Sequence, residues 1–346
     1  MEFCLYGISA LEALRAQGSR TPELLAGTRA DARTSLPRAC GIPHLDEAEE
    51  ELDMLGVTSR PVHVLVCDDT HSHTTSGVVR HICSTVSSRS FVRISRHVLV
   101  PCAELCFLQL ASSLKSLHPA RMGEALPQPT QVAGPSEPFL SEVDLALIGY
   151  ELCGGYRIDR SAPQGFVSAE PLMDMGSLTR FLNRASGTRG IELARRAEKL
   201  LLDNARSPAE ATLAMLLTAP RRIGGMGFKG AVLNYRVDTP DGPRYIDLGF
   251  PSAGTGVEYQ GEEFHELGQV RREDRRQNMI AGAGMTIFNV WRDDLSNLEF
   301  FDKLVGELAR AMGLRLRIRD DGFRHRQQML RAWVLPPLQR YDDIVF

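Results

Sequence analysis

Arg244-Tyr245-Ile246-Asp247 and Gly256-Val257-Glu258-Tyr259-Gln260 are two short apolar runs, and each carries one acid. Between them stands Pro251-Ser252-Ala253-Gly254-Thr255-Gly256, rich in turn-forming residues. If both runs are strands joined by that turn, they pair and set Asp247 and Glu258 side by side. Two close carboxylates repel, and burial raises their pKa values unless a cation neutralises them. Hard divalent ions such as Mg2+ (or Mn2+) take oxygen ligands of this kind. An ion held there polarises a phosphate and activates a water. The plainer alternative is a pair of solvated acids at strand ends.

Working outward, the same half of the chain reads as an ordered series. Ser207-Pro208-Ala209-Glu210 opens a helix predicted to run to about Thr218. Ala231 to Val237 and Pro243 to Gly249 are predicted strands, joined at Thr239-Pro240-Asp241-Gly242. Val257 to Gln260 is the third strand. A helix from about Leu267 to Ala283 follows, and Gly284 suits the position just past its end. Met285 to Val290 is a fourth strand and Leu295 to Met312 a further helix.

The first half is a mixed unit over residues 1–155. Val62 to Val66, Phe91 to Ile94 and His97 to Val100 read as strands, being β-branched or apolar. Pro101 suits a helix start, and Glu104 to Leu114 continues with helical spacing. Residues 119–138, rich in Pro, Gly, Ser and Gln, read as a loop. Val143 to Cys153 reads as a helix ended by Gly154-Gly155. Residues 156–204 read as a helical connector, residues 205–312 as the second domain, and residues 313–346 as a basic extension. Arg315, Arg317 and Arg319 alternate with Leu314, Leu316 and Ile318, which as a strand would put three arginines on one face. Arg324, His325 and Arg326 would extend that surface.

Composition narrows the classes. A chain of 346 residues with 43% hydrophobic and 24% charged residues suits about two globular domains. A net charge of −3 argues against a wholesale nucleic-acid coat but permits a local basic groove. Seven cysteines, an odd number, all in the first half and with no Cys-x-x-Cys pair, fit reduced thiols better than disulfides or zinc. Cys102 and Cys106, four apart, suit core packing. No signal peptide and no membrane-length apolar run is visible, so a cytoplasmic protein without a membrane partner is expected.

The order of elements, with Asp247 and Glu258 where they stand, resembles the PD-(D/E)xK nuclease superfamily, and within it the very-short-patch-repair-like branch. The residues that carry the resemblance are Glu210 after Ser207-Pro208, Asp247, Glu258-Tyr259-Gln260-Gly261, His265, then Arg272, Arg275, Arg276 and Asn278 before Gly284. It covers about residues 205–312. It implies an α/β (α+β) fold with a restriction-endonuclease-like αβββαβ core, preceded by a mixed α+β domain. The third-strand motif ends in Gln260 where the superfamily usually has Lys, and Glu273 stands where the branch usually has Asp. The first half resembles the antitoxin-like domain of abortive-infection, type IV toxin–antitoxin proteins. That likeness rests on Pro61 to Val66, Pro101 to Ala111 and Gly149-Tyr150-Glu151-Leu152-Cys153-Gly154. Residues 1–60 show no helix-turn-helix, so promoter binding does not carry over.

The resemblance implies Asp247, Glu258 and Glu210 as ligands for Mg2+ or Mn2+, with Gln260 placing the attacking water. It implies His265 as a phosphate donor or general acid, and Arg272, Arg275, Arg276 and Asn278 as phosphate contacts. Each has a rival reading. Ser207-x-x-Glu210 is a capping box, in which the glutamate satisfies the Ser207 N–H. Gln260 and His265 suit surface or capping positions, and the arginines suit a solvated helix face paired with Glu273 and Asp274. Trp291 and Trp333 read as core or interface residues. The expected function is a metal-dependent endonuclease acting on DNA in a bacterial defence or toxin–antitoxin setting, with a toxin or antitoxin protein as a further partner. Two alternatives stay open: an inactive or weak nuclease-fold protein acting as an antitoxin-like DNA-binding regulator, favoured by Gln260, and a nuclease acting on RNA.

Overall fold

The computed structural model describes residues 2–18, 33–37, 40–67, 77–82, 89–122, 137–159, 161–261, 279–318 and 320–342. The chain is mixed α+β and divides into two units, Met1–Arg160 with Val167–Lys199, and Ser161–Phe166 with Leu200–Phe346. No helix among the described residues is long and apolar enough to cross a membrane.

The first unit is built on β1 (Phe3–Leu5), β2 (Val62–Val66), β3 (Val78–Ile82), β4 (Phe91–Arg93) and β5 (Val98–Pro101). They form one mixed sheet in the order β3-β2-β1-β5-β4. The central strands are apolar throughout because both faces are covered; Cys4, Leu5, Val98, Leu99 and Val100 are all fully buried. Helices α1 (Gly7–Gly18), α2 (Leu45–Met54), α3 (Ala103–Met122) and α4 (Glu137–Leu152) complete this part. Pro101 does not start α3. It ends β5 opposite Phe91, and the next residue, Cys102, still donates its N–H to the Ser90 carbonyl at 2.8 Å, so the helix begins only at Ala103. Helix α3 also runs through 119–122, into the expected loop; residues 123–136 of that loop lie outside the described residues. Cys102 and Cys106 are buried in the core, and the six described cysteines form no disulfide.

The stretch read as a helical connector carries two short strands as well as helices. These are β6 (Tyr156–Ile158), β7 (Phe166–Ser168), α5 (Met175–Arg184) and α6 (Ile191–Glu198). Helix α5 starts at a capping box of Asp174 and Ser177, each side chain bonding the other's backbone N–H.

The described residues of the second unit keep the predicted order as far as the fourth strand, and residues 267–278 of the helix expected before that strand lie outside them. The helix expected over Leu295 to Met312 is broken at Asn297, and residues 323–342, read as part of a basic extension, form a further helix. Helix α7 (Pro208–Thr218) leads to β8 (Val232–Thr239), β9 (Gly242–Phe250), β10 (Thr255–Gln260) and β11 (Thr286–Trp291). Then come α8 (Arg292–Ser296), α9 (Leu298–Ala311) and α10 (Phe323–Asp342). The sheet order is β11-β10-β9-β8, antiparallel except for the β10–β11 pair. The β8–β9 hairpin closes on Pro240-Asp241, with Thr239 paired to Gly242 at φ +109°. Residues 279–282 are helical and end as the sequence predicts. Gly284, at φ +82°, donates to Ala281, and Met285 donates to Ile280, the two bonds of a Schellman closure. This end packs Ile280 and Met285 against Val237 and Ile246 of the sheet. Helix α7 packs against β9 and β10, and α10 packs against α7.

One glycine fixes the seat of α10. Gly224 has φ +98°, and a Cβ there would fall on the Arg326 carbonyl of α10, with the Gln327 nitrogen 2.7 Å away. Both obstacles are backbone, so neither can rotate aside. Gly224→Ala is expected to destabilise the second unit by more than about 2 kcal/mol, combining strain at positive φ with overpacking. Urea unfolding of the two proteins measures this; equal midpoints would show that the contact is not a constraint.

Candidate active site

The site is assembled where α7 meets the middle strands. Ser207, in extended conformation at φ −149°, caps α7, and its Oγ accepts the Glu210 N–H at 3.1 Å. The reciprocal bond of the capping box does not form. Glu210 instead takes the Arg206 N–H at 2.8 Å on Oε2, one residue earlier than expected. The same oxygen accepts Asn234 Nδ2 at 2.6 Å, and Oε1 accepts the Ser207 hydroxyl at 3.2 Å. Both carboxylate oxygens are therefore engaged, and the side chain is buried.

Asn234 is the residue that sequence reasoning missed. It sits inside β8 yet has φ +48°, a left-handed conformation that asparagine tolerates better than most residues. Its amide also donates to the Asn204 carbonyl at 2.7 Å, tying the segment before α7 to the sheet. The available signal was a lone amide between Leu233 and Tyr235 in a strand.

Despite three donors, the Glu210 carboxyl is pushed up to about 7. Burial is the main cause and the negative charge of Asp247 the second; the bonds from Arg206, Asn234 and Ser207 pull the other way. Asp247 therefore lies near enough to Glu210 for its charge to be felt. Its Oδ2 accepts the Tyr259 N–H at 2.8 Å, which pins the acid to the backbone just beyond Glu258. The pairing of β9 with β10 runs from Thr255↔Phe250 to Val257↔Leu248, so Asp247 and Glu258 are the residues that follow directly on its last pair. Glu258 is 2% exposed and so is not a solvated strand-end acid, while Asp247 is partly exposed.

On the other side, Glu258 aligns with Asn289 of β11. Gln260, two residues on and hence on the same face as Glu258, donates its amide to Asn289 Oδ1 at 3.1 Å. Asn289 is a second residue that the sequence did not single out. Trp291 is 44% exposed beside Gln260 and belongs to no core. Arg206 lies over the Tyr245 ring, 5.3 Å from its centroid.

Among the described residues no group of three or more His, Cys, Asp and Glu side chains is arranged to hold a metal ion, so Glu210, Asp247 and Glu258 do not form a closed three-acid cluster. Mg2+ keeps several waters and is commonly held by one or two carboxylates. Asp247 and Glu258 supply that number, and their chemistry fits such an ion. His265, Arg272, Arg275, Arg276 and Asn278 lie outside the described residues. Residues 314–318 form no strand, and Arg319 lies outside the described residues. Arg324 pairs with Asp302 and Arg326 with Asp320, so each of these two guanidinium groups already has an acid beside it. Compared with known protein families, with curated proteins and with solved structures, the chain gives no match.

Proposed function

We propose that the second unit is a Mg2+-dependent nuclease of restriction-like architecture that hydrolyses phosphodiester bonds in DNA. The observation that carries this reading is the bond from Tyr259 N–H to Asp247, because it holds one acid against the strand segment bearing the other. The α7, β8, β9, β10, β11 order and the neighbouring Glu210 support it. Asp247 and Glu258 would hold the ion, which when bound supplies Lewis acidity toward a phosphate oxygen. Gln260, oriented by Asn289, places a water through its side-chain carbonyl. Glu210, titrating near neutrality, takes up or releases a proton in the working pH range. By its resemblance to antitoxin-like domains, the first unit would supply partner or DNA contacts, in a bacterial defence or toxin–antitoxin setting.

The test is incubation of the purified protein with plasmid, linear and single-stranded DNA, and with RNA, in Mg2+ or Mn2+, beside Glu258→Ala. Cleavage by the wild type and not by the variant supports the reading and names the polymer; RNA cut in preference to DNA replaces the substrate. Cleavage by neither protein, with DNA still shifted in a gel, supports a second reading: a nuclease-fold DNA-binding regulator. What favours that alternative is the Gln260 amide, which is already committed to Asn289. Gln260→Lys separates the two. A lysine ammonium can make the same bond to Asn289 Oδ1 and adds a positive charge beside the site. Cleavage is expected to be kept or raised; complete loss would show that the amide itself is required.

A further inference from the structure

A cavity of about 490 Å³ lies in the first unit, and its lining includes none of the acids described above. Its size falls within the range of small-molecule sites. Leu172, Met173 and the half-buried Phe181 give it an apolar wall, and Phe181 also packs on the core around Phe91 and Leu105. Its charged groups divide sharply. Glu104 is engaged by Arg33, whose Nη2 is 3.0 Å from both carboxylate oxygens. Asp174 is engaged by the Ser177 N–H at 2.7 Å as the cap of α5. Arg180 and Arg184, four residues apart on α5 and so on one face, make no ion pair or hydrogen bond with a described residue.

We infer that this cavity binds a nucleotide through its phosphate. Guanidinium groups match phosphate oxygens in a bidentate fork, and Arg180 with Arg184 offers two of them uncommitted. Phe181 and the aliphatic wall suit the flat, apolar faces of a base, which stacks on aromatic rings. A bare inorganic anion would leave that wall unused. The phosphate can come from a free mononucleotide or from the 5′-phosphorylated end of a strand, and both present the same group. This inference is independent of the nuclease reading, since none of its residues belongs to the second unit.

The full chain is titrated calorimetrically, in EDTA and at one fixed salt concentration, with 5′-AMP, 5′-GMP, inorganic phosphate, and a short oligonucleotide with or without a 5′-phosphate. Either a mononucleotide or the phosphorylated oligonucleotide is expected to bind at least tenfold more tightly than phosphate alone. Arg180→Gln with Arg184→Gln, both exposed and so compatible with folding, is expected to weaken that binding at least tenfold. If only the oligonucleotide binds, and only with its 5′-phosphate, the ligand is a strand end. The inference is overturned if no nucleotide or phosphorylated oligonucleotide binds, if inorganic phosphate binds as tightly, or if the double variant binds like the wild type.

Discussion

If the second unit is the proposed nuclease, Asp247→Asn and Glu258→Gln are each expected to lose at least about a thousandfold of its Mg2+-dependent cleavage rate. A pre-placed divalent charge contributes several kcal/mol to a phosphoryl transition state, and about 4 kcal/mol is three decades in rate. These amide variants are chosen over alanine for a geometric reason. Asparagine at 247 keeps an oxygen for the Tyr259 N–H, and glutamine at 258 keeps the volume of a side chain only 2% exposed. The strand pairing should therefore survive while the negative charge is removed. Asp247→Asn is further expected to melt higher than the wild type without metal at pH 8, because Glu210 loses the like charge beside it. Plasmid nicking and thermal melting read the two effects separately. Wild-type nicking by either variant would defeat the site assignment; a lower melting point for Asp247→Asn would defeat the electrostatic argument alone.

What the sequence made legible was local. The β-branched run at Val62 to Val66, the Pro240-Asp241 turn, the glycine after the helix at 284 and the Ser207 cap each carry their signal within a few residues. What it left hidden depends on register and on distance along the chain. Nothing near Glu210 says whether it takes the N–H of Ser207 or of Arg206. The oxygen that takes the Arg206 N–H is also bonded by Asn234, 24 residues later, a contact that no local pattern announces. Asn289 joins the site because β11 runs parallel to β10, and a parallel pair needs a long crossover whose length does not fix the register. Arg324 could be read as part of a basic surface because its acid, Asp302, is 22 residues away and is matched to it only in the folded chain. The cavity of the first unit was invisible for the same reason: Arg33 and Glu104 are 71 residues apart.

Below pH 7, the stability difference between the wild type and Glu210→Gln should move steadily in favour of the wild type. The Glu210 carboxyl is held near 7 in the folded chain against an ordinary value of 4.5. The folded state therefore binds a proton that the unfolded state has already released. The stabilisation this gives is full below about pH 4.5, falls as pH rises, and is gone above about pH 7. At about 1.4 kcal/mol per pKa unit, the whole span is at most about 3.5 kcal/mol. The wild-type curve alone does not isolate the effect, because His81 has the opposite sign. Burial lowers its pKa to about 4, so its contribution is present above the ordinary histidine value of 6.5 and is lost as pH falls toward 4. The two slopes overlap and partly cancel. Glu210→Gln leaves His81 in place and removes only the acid, so subtraction of the two curves leaves the Glu210 contribution. A glutamine can still accept the Arg206 and Asn234 bonds through its carbonyl, which turns any remaining mismatch into an offset constant with pH. Denaturant unfolding at pH 5, 6, 7 and 8 supplies the curves. Parallel wild-type and variant curves would mean that Glu210 titrates normally, and with it would fall the argument that this acid exchanges a proton at neutral pH.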